Sequence, residues 1–269
     1  MAFGQGMSAP TPLELDCANP NLPCLLEGSL VSDPPLAQVV SHTVNAGLRG
    51  QQMLGAGTLD WSISLFRTDS DNDIVALASV IAGRGYFTNV PSTQRQGVDL
   101  TTRYTASRWS AYANWSYLDA TYQFTGILAS PNNPAASATG NVTVTPGRRM
   151  PMNPASTARI GADMEVLHGV SLGGELAFTG AEYFDGDPSN RNARLPSTVV
   201  VNLRASYQFD ESWQLFGLVN NLFDDRHALY GAYFDPGSTT GLVTPTLTDR
   251  RTLTLRQPVS FQAGIRLKF

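Results

Sequence analysis

The sequence predicts an all-β fold: an antiparallel transmembrane β-barrel of which only part is present. Three observations lead to this prediction: apolar and polar residues alternate in many segments, short and long connections alternate between those segments, and charge is scarce. Charged residues make up 15% of the 269 residues, against roughly 25% in soluble domains. No run approaches the ~18 consecutive apolar residues of a membrane-spanning helix. Strands are therefore the elements expected to cross a membrane.

The alternation is cleanest over the last eleven residues, where every second position is apolar: Val259, Phe261, Ala263, Ile265, Leu267 and Phe269. Five other segments show the same two-residue period, which is that of a strand whose two faces meet different surroundings. With three less regular segments, the prediction is about nine strands: 37–50, 59–65, 94–106, 109–117, 158–166, 170–178, 199–209, 213–223 and 259–269. No segment has the apolar spacing of an amphipathic helix, so we predict none.

The connections separate a barrel from a soluble β-sandwich, which fits the composition equally well. Short turns are predicted at 106–108, 167–169 and 210–212, and long loops at 67–92, 119–156, 180–197 and 230–257. Short turns at one end and long loops at the other are typical of outer-membrane barrels, whose long loops are extracellular. A sandwich gives no reason for every long loop to lie at one end.

Aromatic and charged residues fit the same arrangement. Beside the short turns or at the chain end lie aromatic residues expected in a periplasmic girdle: Trp109, Phe209, Trp213 and Phe269. Tyr117 and Phe261 are expected at the opposite boundary, ~20 Å away. The alternative is that aromatic residues simply favour strands. Charged strand residues should face the lumen, because Arg or Lys facing lipid costs ~2–4 kcal/mol at the midplane: Asp163, Glu165, Arg204, Arg266 and Lys268.

Charge and cysteine content exclude some functions. A net charge of -4 does not suit nucleic-acid binding, which needs a basic face. Cys17 and Cys24, the only cysteines, are predicted to form a disulfide in an oxidising compartment, with free thiols as the alternative. Three scattered histidines do not complete a zinc site. Residues 1–30 contain no signal peptide, which indicates that Met1 is not the natural start.

Several motifs carry a resemblance to one family. Residues Asn221, Leu222, Phe223 and Asp224 resemble the Asn-Leu-Phe-Asp motif that TonB-dependent receptors carry on their penultimate strand. Residues 95–99 resemble the family's Arg-Gln-Gly-Val-Glu segment, with Asp99 in place of Glu, and 264–269 resemble its closing strand. The resemblance runs from about Cys17 to Phe269, with His227 where the family usually has Tyr.

This resemblance implies a place in the bacterial outer membrane, surrounded by the lipid bilayer. It implies a barrel of roughly 22 strands, of which residues 1–269 would be the C-terminal portion, with the plug domain absent. A truncated gene model or contig end would explain this absence, and the alternative is a fragment that functions alone. The barrel-assembly machinery would read the C-terminal strand through Phe269. The TonB–ExbB–ExbD complex would act through the missing plug. The implied function is active uptake of a scarce nutrient, a ferric siderophore or similar iron chelate, although ferric citrate, cobalamin or a sugar would also fit.

Ligand contacts are expected in the long loops. Candidates are Arg148 and Arg149, because Arg binds anionic chelates bidentately, and Tyr230 and Tyr233, because aromatic rings stack on planar groups. The alternative is that all four are ordinary loop residues.

Other functions are weaker alternatives. A passive porin-like or oligomeric outer-membrane channel would need no plug. An outer-membrane enzyme would need a Ser/His pair near the outer rim, where His227 is the only candidate, so we predict no enzyme, no catalytic residue and no cofactor. Asp69, Asp71 and Asp73 alternate but lack the Gly and Glu of a calcium loop, so we predict no metal site.

Overall fold

A computed structural model describes residues 1–16, 19, 21, 36–79, 81, 84–234 and 250–267. In chain order its elements are β1 (Ala2–Ser8), α1 (Pro12–Asp16), β2 (Val39–Leu54), β3 (Gly57–Ala78), β4 (Gly85–Thr105), β5 (Trp109–Tyr122), β6 (Gly126–Ala129), β7 (Asn141–Val144), β8 (Ser156–Leu167), β9 (Val170–Thr179), β10 (Thr198–Gln208), β11 (Trp213–Asn220), β12 (Ala228–Tyr233), β13 (Arg251–Leu255) and β14 (Ser260–Leu267). Ten strands form one antiparallel sheet in the order β1-β2-β3-β4-β5-β8-β9-β10-β11-β14, and β6-β7 and β12-β13 are separate hairpins.

The all-β prediction is confirmed, and each of the nine predicted strands lies in the sheet in its predicted order. The sheet has one further strand, β1, which pairs with β2 from Ala2 opposite Asn45 to Ser8 opposite Val39. Gly4 and Gly6 hide its alternation, because glycine carries no side chain to mark a face.

The prediction of no helix is wrong at one place, the five-residue helix α1. Its start has a reciprocal cap: the Glu14 N–H donates to Thr11 Oγ1, and the Thr11 N–H donates to Glu14 Oε2 at 2.6 Å. Thr-x-x-Glu with Pro at the first helical position is a known helix-start signal. Local capping, not amphipathic spacing, therefore identifies this helix. Among the described residues no helix is long and apolar enough to cross a membrane.

The predicted long loop at 67–92 is also wrong. β3 and β4 continue through most of it and pair from Thr58 opposite Thr105 to Ala78 opposite Gly85. The alternation stops near Phe66 because residues 67–73 are polar on both faces of β3, but the backbone pairing does not stop. Hydroxyl pairs such as Thr43 with Thr68, 2.9 Å apart, take the place of apolar contacts there.

The other connections follow the prediction. The loops 123–155 and 180–197 and the connecting residues 221–234 and 250–259 lie at one end of the sheet, and the turns at 55–56, 106–108, 168–169 and 209–212 lie at the other. From β4 to β14, short turns at one end of the sheet thus alternate with long connections at the other.

One face of the sheet is apolar and exposed. The predicted girdle residues Trp109, Phe209 and Trp213 are exposed on it beside the short turns, and Tyr117 and Phe261 are exposed on it further along the strands. The apolar surface ends on one cross-strand row, where Leu65, Val98 and Tyr117 are in register, and the next row is polar: Arg67, Gln96 and Asp119. The predicted residues Lys268 and Phe269, and the cysteine pair Cys17 and Cys24, lie outside the described residues.

The opposite face is polar and its side chains bond across strands. The Arg204 guanidinium pairs with the Asp163 carboxylate at 2.5 Å, and Tyr112 donates its hydroxyl to Glu175 Oε2 at 2.6 Å. Tyr112 reaches Glu175 across β8 only because Gly161 lies between them: a Cβ there would be 2.5 Å from Tyr112 Cζ. The charged residues predicted on this face do share it, apart from the undescribed Lys268.

Candidate functional site in the loop cap

The loops at the long-loop end pack together into what we call the loop cap: residues 123–155, 180–197, 221–234 and 250–259. One apolar core of the cap joins it to the sheet. Val75 and Val90, on the far ends of β3 and β4, are buried with residues of β5 and of the β6-β7 hairpin: Tyr122, Phe124, Leu128, Val142 and Val144. This apolar core, shared by the sheet and the cap, therefore holds the cap on the end of the sheet.

A second core joins the loop after β9 to the β12-β13 hairpin. Phe184, Leu195 and Tyr233 are buried together, and the rings of Phe184 and Tyr233 lie 5.3 Å apart. Tyr233, a predicted ligand residue, is only 6% exposed. Its ring therefore packs inside the cap rather than facing solution.

Asp187 organises the polar interior of the cap. Its carboxylate is fully buried, at 0% exposure, and accepts four hydrogen bonds. The donors are Asn133 Nδ2, Ser189 Oγ, and the backbone N–H groups of Arg191 and Asn192. A buried charge is tolerated when hydrogen bonds satisfy it in this way. The bond from Asn133 Nδ2 to Asp187, and a second bond from Asn192 Nδ2 to Asn133 Oδ1, tie the loop after β5 to the loop after β9.

Arg148 and Arg149 are neighbours with different surroundings. Arg149 pairs with Asp119 at 2.7 Å and also donates to the Leu118 carbonyl. Its backbone N–H and carbonyl are both bonded by the Asn190 side chain. Arg148 is exposed. Of this predicted pair, Arg148 is the side chain that solution can reach freely.

Two exposed arginines that sequence analysis did not single out lie on the facing loop. Arg191 follows Asn190, which bonds Arg149, and the Arg194 guanidinium lies over the Tyr183 ring, 5.8 Å from its centre. The Tyr183 carbonyl in turn accepts the Met152 N–H. Among the described residues Arg148, Arg191 and Arg194 form no ion pair, so the two joined loops present three positive charges that are free to pair with a ligand. No sequence motif marks this grouping.

Tyr230 completes the set of predicted ligand residues. It is 38% exposed and donates its hydroxyl to Asp185 Oδ2 at 2.8 Å. Burial, and then the charge and hydrogen bond of Asp185, raise the pKa of Tyr230 above its usual range. The ring therefore stays neutral at physiological pH, with an exposed face.

Comparison with known proteins identifies the family. The profile described as TonB dependent receptor-like, beta-barrel matches residues 1–222. The chain belongs to the TonB-dependent receptors. Members of this family are outer-membrane proteins that act in transport and not as enzymes, so the apolar face of the sheet is its lipid face.

Solved structures of the family share the fold. The copper transporter OprC superposes with a TM-score of 0.68 at 17% identity over 99% of this chain and 37% of that chain. The siderophore receptor PiuA from Acinetobacter baumannii gives 0.60 at 17% over 86% and 28%, and the ferric yersiniabactin uptake receptor FyuA from Yersinia pestis gives 0.61 at 16% over 99% and 34%. This chain spans about a third of the length of the structures it matches.

The receptor's Asn-Leu-Phe-Asp motif forms a turn that connects the end of β11 to the segment entering β14. Asn221, in the left-handed region with φ 54°, donates Nδ2 to the carbonyls of Asp225 and Gln257. Asp224, with φ 52°, accepts the Val259 N–H. Leu222 donates its backbone N–H to the Val201 carbonyl, and Phe223 is exposed. The motif therefore fixes where the last strand begins.

The receptor's remaining polar groups give no separate chemical site. The His227 ring bonds the Asp225 carboxylate within this turn. Asp69 bonds Arg67 and Gln94, and Asp73 bonds Thr93 and Arg95. Among the described residues no three His, Cys, Asp or Glu side chains are grouped to hold a metal ion.

Proposed function

We propose that this chain forms barrel wall and extracellular loops of an outer-membrane transporter that takes up a ferric siderophore or a similar iron chelate. Residues 1–269 would be the C-terminal portion of the barrel. The plug domain would lie outside them and receive energy from the TonB–ExbB–ExbD complex. The C-terminal strand, ending at Phe269, would be the part that the barrel-assembly machinery reads. The disulfide between Cys17 and Cys24 stays a prediction.

The observation that carries this proposal is the exposed basic surface of the loop cap. Arg148, Arg191 and Arg194 are exposed on two loops that the Asn190 side chain joins, and Tyr230 of the β12-β13 hairpin presents a neutral ring and bonds Asp185 of the second loop. The guanidinium group of arginine binds two anionic oxygens at once, and the faces of aromatic rings stack on planar groups. In this proposal Arg149 and Tyr233 support the site from within: Arg149 holds the loops through Asp119 and Asn190, and Tyr233 packs under the hairpin.

The test is uptake of radiolabelled iron by cells whose receptor containing this chain is either intact or deleted. We expect receptor-dependent uptake of an anionic iron chelate that a protonophore abolishes. Replacing Arg148, Arg191 and Arg194 together by Ala should weaken chelate binding at least tenfold, since a charge-assisted hydrogen bond contributes about 1.5–3 kcal/mol. Arg67→Ala, outside the cap, is the matched control and should bind as the unmodified receptor does.

Other outcomes would redirect the proposal. Uptake that survives the protonophore would contradict energised transport and favour the passive channel. Receptor-dependent uptake of copper but not of iron chelates would contradict the substrate and favour the activity named for OprC, whose fold this chain shares.

A further inference from the structure

A groove of about 630 Å³ crosses the lipid face over β9, β10, β11 and β14. Its floor is a row of small residues in cross-strand register, Ala205 opposite Gly217 and Gly217 opposite Ala263. Rows of larger residues lie on either side of this floor. The row on one side, which lines the groove, consists of Leu203, Val219 and Phe261. The row on the other side is Tyr207, Leu215 and Ile265. The volume lies within the roughly 300–1,000 Å³ of small-molecule sites.

The floor is open at its centre. A Cβ placed on Gly217 would meet no atom closer than 3.9 Å, the Gln262 carbonyl oxygen. Glycines of the same strands are not all like this: a Cβ on Gly264, on the polar face, would lie 2.6 Å from the Phe216 ring. Gly264 is thus covered by a side chain of this protein, whereas the space above Gly217 is left for something else.

The position of the groove identifies its surroundings. Gly217 lies four residues along β11 from the girdle residue Trp213, which at ~3.3 Å per residue and ~40° tilt is about 10 Å into the apolar band. That depth is within hydrocarbon, where water and lipid headgroups do not reach. An unfilled depression there would lose dispersion contacts along its whole lining.

We propose that this groove binds one acyl chain of an outer-membrane lipid as a discrete site. The two bordering rows are four residues apart along the strands, so about 13 Å separates their backbones. The side chains of Leu203, Val219 and Phe261 line this space on one side, and a single extended chain can lie against its small-residue floor. The inference rests on family membership and not on the nature of the transported nutrient.

A second copy of the receptor fits the groove less well. A stable dimer needs about 800 Å² of buried surface on each partner. Phe261, 75% exposed, projects at the border of the groove and would hold a flat sheet away from its floor. A flexible chain can pass beside that ring.

Native mass spectrometry tests the proposal. The receptor containing this chain is extracted from outer membranes, exchanged into detergent with added phosphatidylethanolamine, and the bound lipids are counted. Gly217→Leu and Ala263→Leu fill the floor from different strands. Ala113→Leu adds the same side chain to the lipid face on β5, outside the groove, and serves as the control.

We expect the unmodified receptor and Ala113→Leu to retain one lipid that both groove variants lose, with at least a fivefold fall in the lipid-bound fraction. Gel mobility before and after heating shows whether each variant is folded, and if Gly217→Leu does not assemble, Ala263→Leu decides. Equal lipid retention in all folded variants would overturn the proposal. So would a receptor dimer that the groove variants abolish, because the occupant would then be a second copy.

Discussion

The sheet and the loop cap are stabilised in opposite ways. On the sheet, large apolar side chains such as Phe261 and Leu203 are exposed, and the polar residues face the other side. In the cap, apolar side chains such as Val144 and Leu195 are buried, and so is the charged Asp187. The cap buries its apolar side chains, as a soluble protein does, whereas the sheet exposes them, as the lipid-facing surface of a membrane protein does. The difference shows that the solvent outside each region, water or lipid, decides which residues a surface can carry.

The two regions also differ in how far their contacts reach along the chain. In the sheet, residues that pair beside a short turn are close in sequence, such as Leu54 and Gly57, and the bond from Tyr112 to Glu175 spans 63 residues. In the cap, Asn133 bonds Asp187 from 54 residues away and Arg250 bonds Asn132 from 118 residues away. Four variants or conditions test whether the sheet and the cap are stabilised separately, and they are given from the largest expected effect to the smallest.

The largest effect is expected for Asp187→Ala. Four donors would lose their acceptor inside the cap, and leaving buried donors unsatisfied costs about 3 kcal/mol or more. Hydrogen exchange of residues 180–197 should rise strongly while exchange in β8, β9 and β10 stays as it is. Asp187→Asn keeps an acceptor oxygen and should lose less. Exchange that rises equally in sheet and cap would show that the two regions are not separately stabilised.

Gly161→Ala should have the next largest effect, this time on the sheet. The added Cβ would lie 2.5 Å from Tyr112 Cζ, so the Tyr112 ring must move and its bond to Glu175 is lost. Overpacking of this kind costs about 1–3 kcal/mol, measured as the shift of the urea unfolding midpoint in detergent. Gly174→Ala is the matched control, because its Cβ would meet Leu203 Cδ2 at an ordinary 3.4 Å. Equal midpoints for both variants would contradict the idea that Gly161 leaves the space through which Tyr112 reaches Glu175.

Acid should loosen the motif turn. The hydrogen bond from Arg226, then the Val259 N–H, lowers the pKa of Asp224. Burial acts to raise the pKa of Asp225, but the His227 hydrogen bonds and the charges of His227 and Arg256 outweigh it and lower the pKa. A depressed carboxyl pKa contributes stability above the unfolded value of about 3.9, and this is lost as pH falls through the folded pKa.

Hydrogen exchange of residues 221–228, followed as pH is lowered from about 5 to about 2, measures this loss. Asp224→Asn combined with Asp225→Asn should remove the acid dependence of that turn. A turn that loosens to the same extent in this variant would show that other groups control it.

The smallest effect is expected for Arg67→Ala. Arg67 and Asp69 form an ion pair whose side chains are 56% and 49% exposed, and exposed pairs contribute about 0–1 kcal/mol. Arg95→Ala should cost more, because Arg95 and Thr93 both bond Asp73, which is buried. The stability losses of the two variants are compared through their urea unfolding midpoints in the same detergent. A larger loss for Arg67→Ala would contradict it.

The contrast explains what the sequence could predict. The lipid imposes a two-residue period on most strands that cross it, so nine strands can be predicted from the sequence, and in the regular ones the face of each residue as well. β1 is not among them, because its glycines hide the period. β3 and β4 continue beyond that band, where the period disappears, and the sequence therefore resembles a loop over 67–92. In the cap, the surroundings of Arg148 and Arg149 differ because of contacts with residues distant in sequence, which the local sequence does not show. Arg149 lies opposite Thr121, and its side chain reaches Asp119.

The central claim is that the two faces of this sheet meet lipid and an aqueous lumen. Spin labels placed one at a time along β5, from Ser110 to Tyr117, test it in outer-membrane vesicles, with Cys17 and Cys24 replaced. Labels at positions 111, 113, 115 and 117 should collide mainly with dissolved oxygen, which concentrates in lipid. Labels at 110, 112, 114 and 116 should be reached preferentially by a water-soluble nickel chelate. Equal access of the nickel chelate to both sets would contradict the account, because it would place water on both faces of the strand.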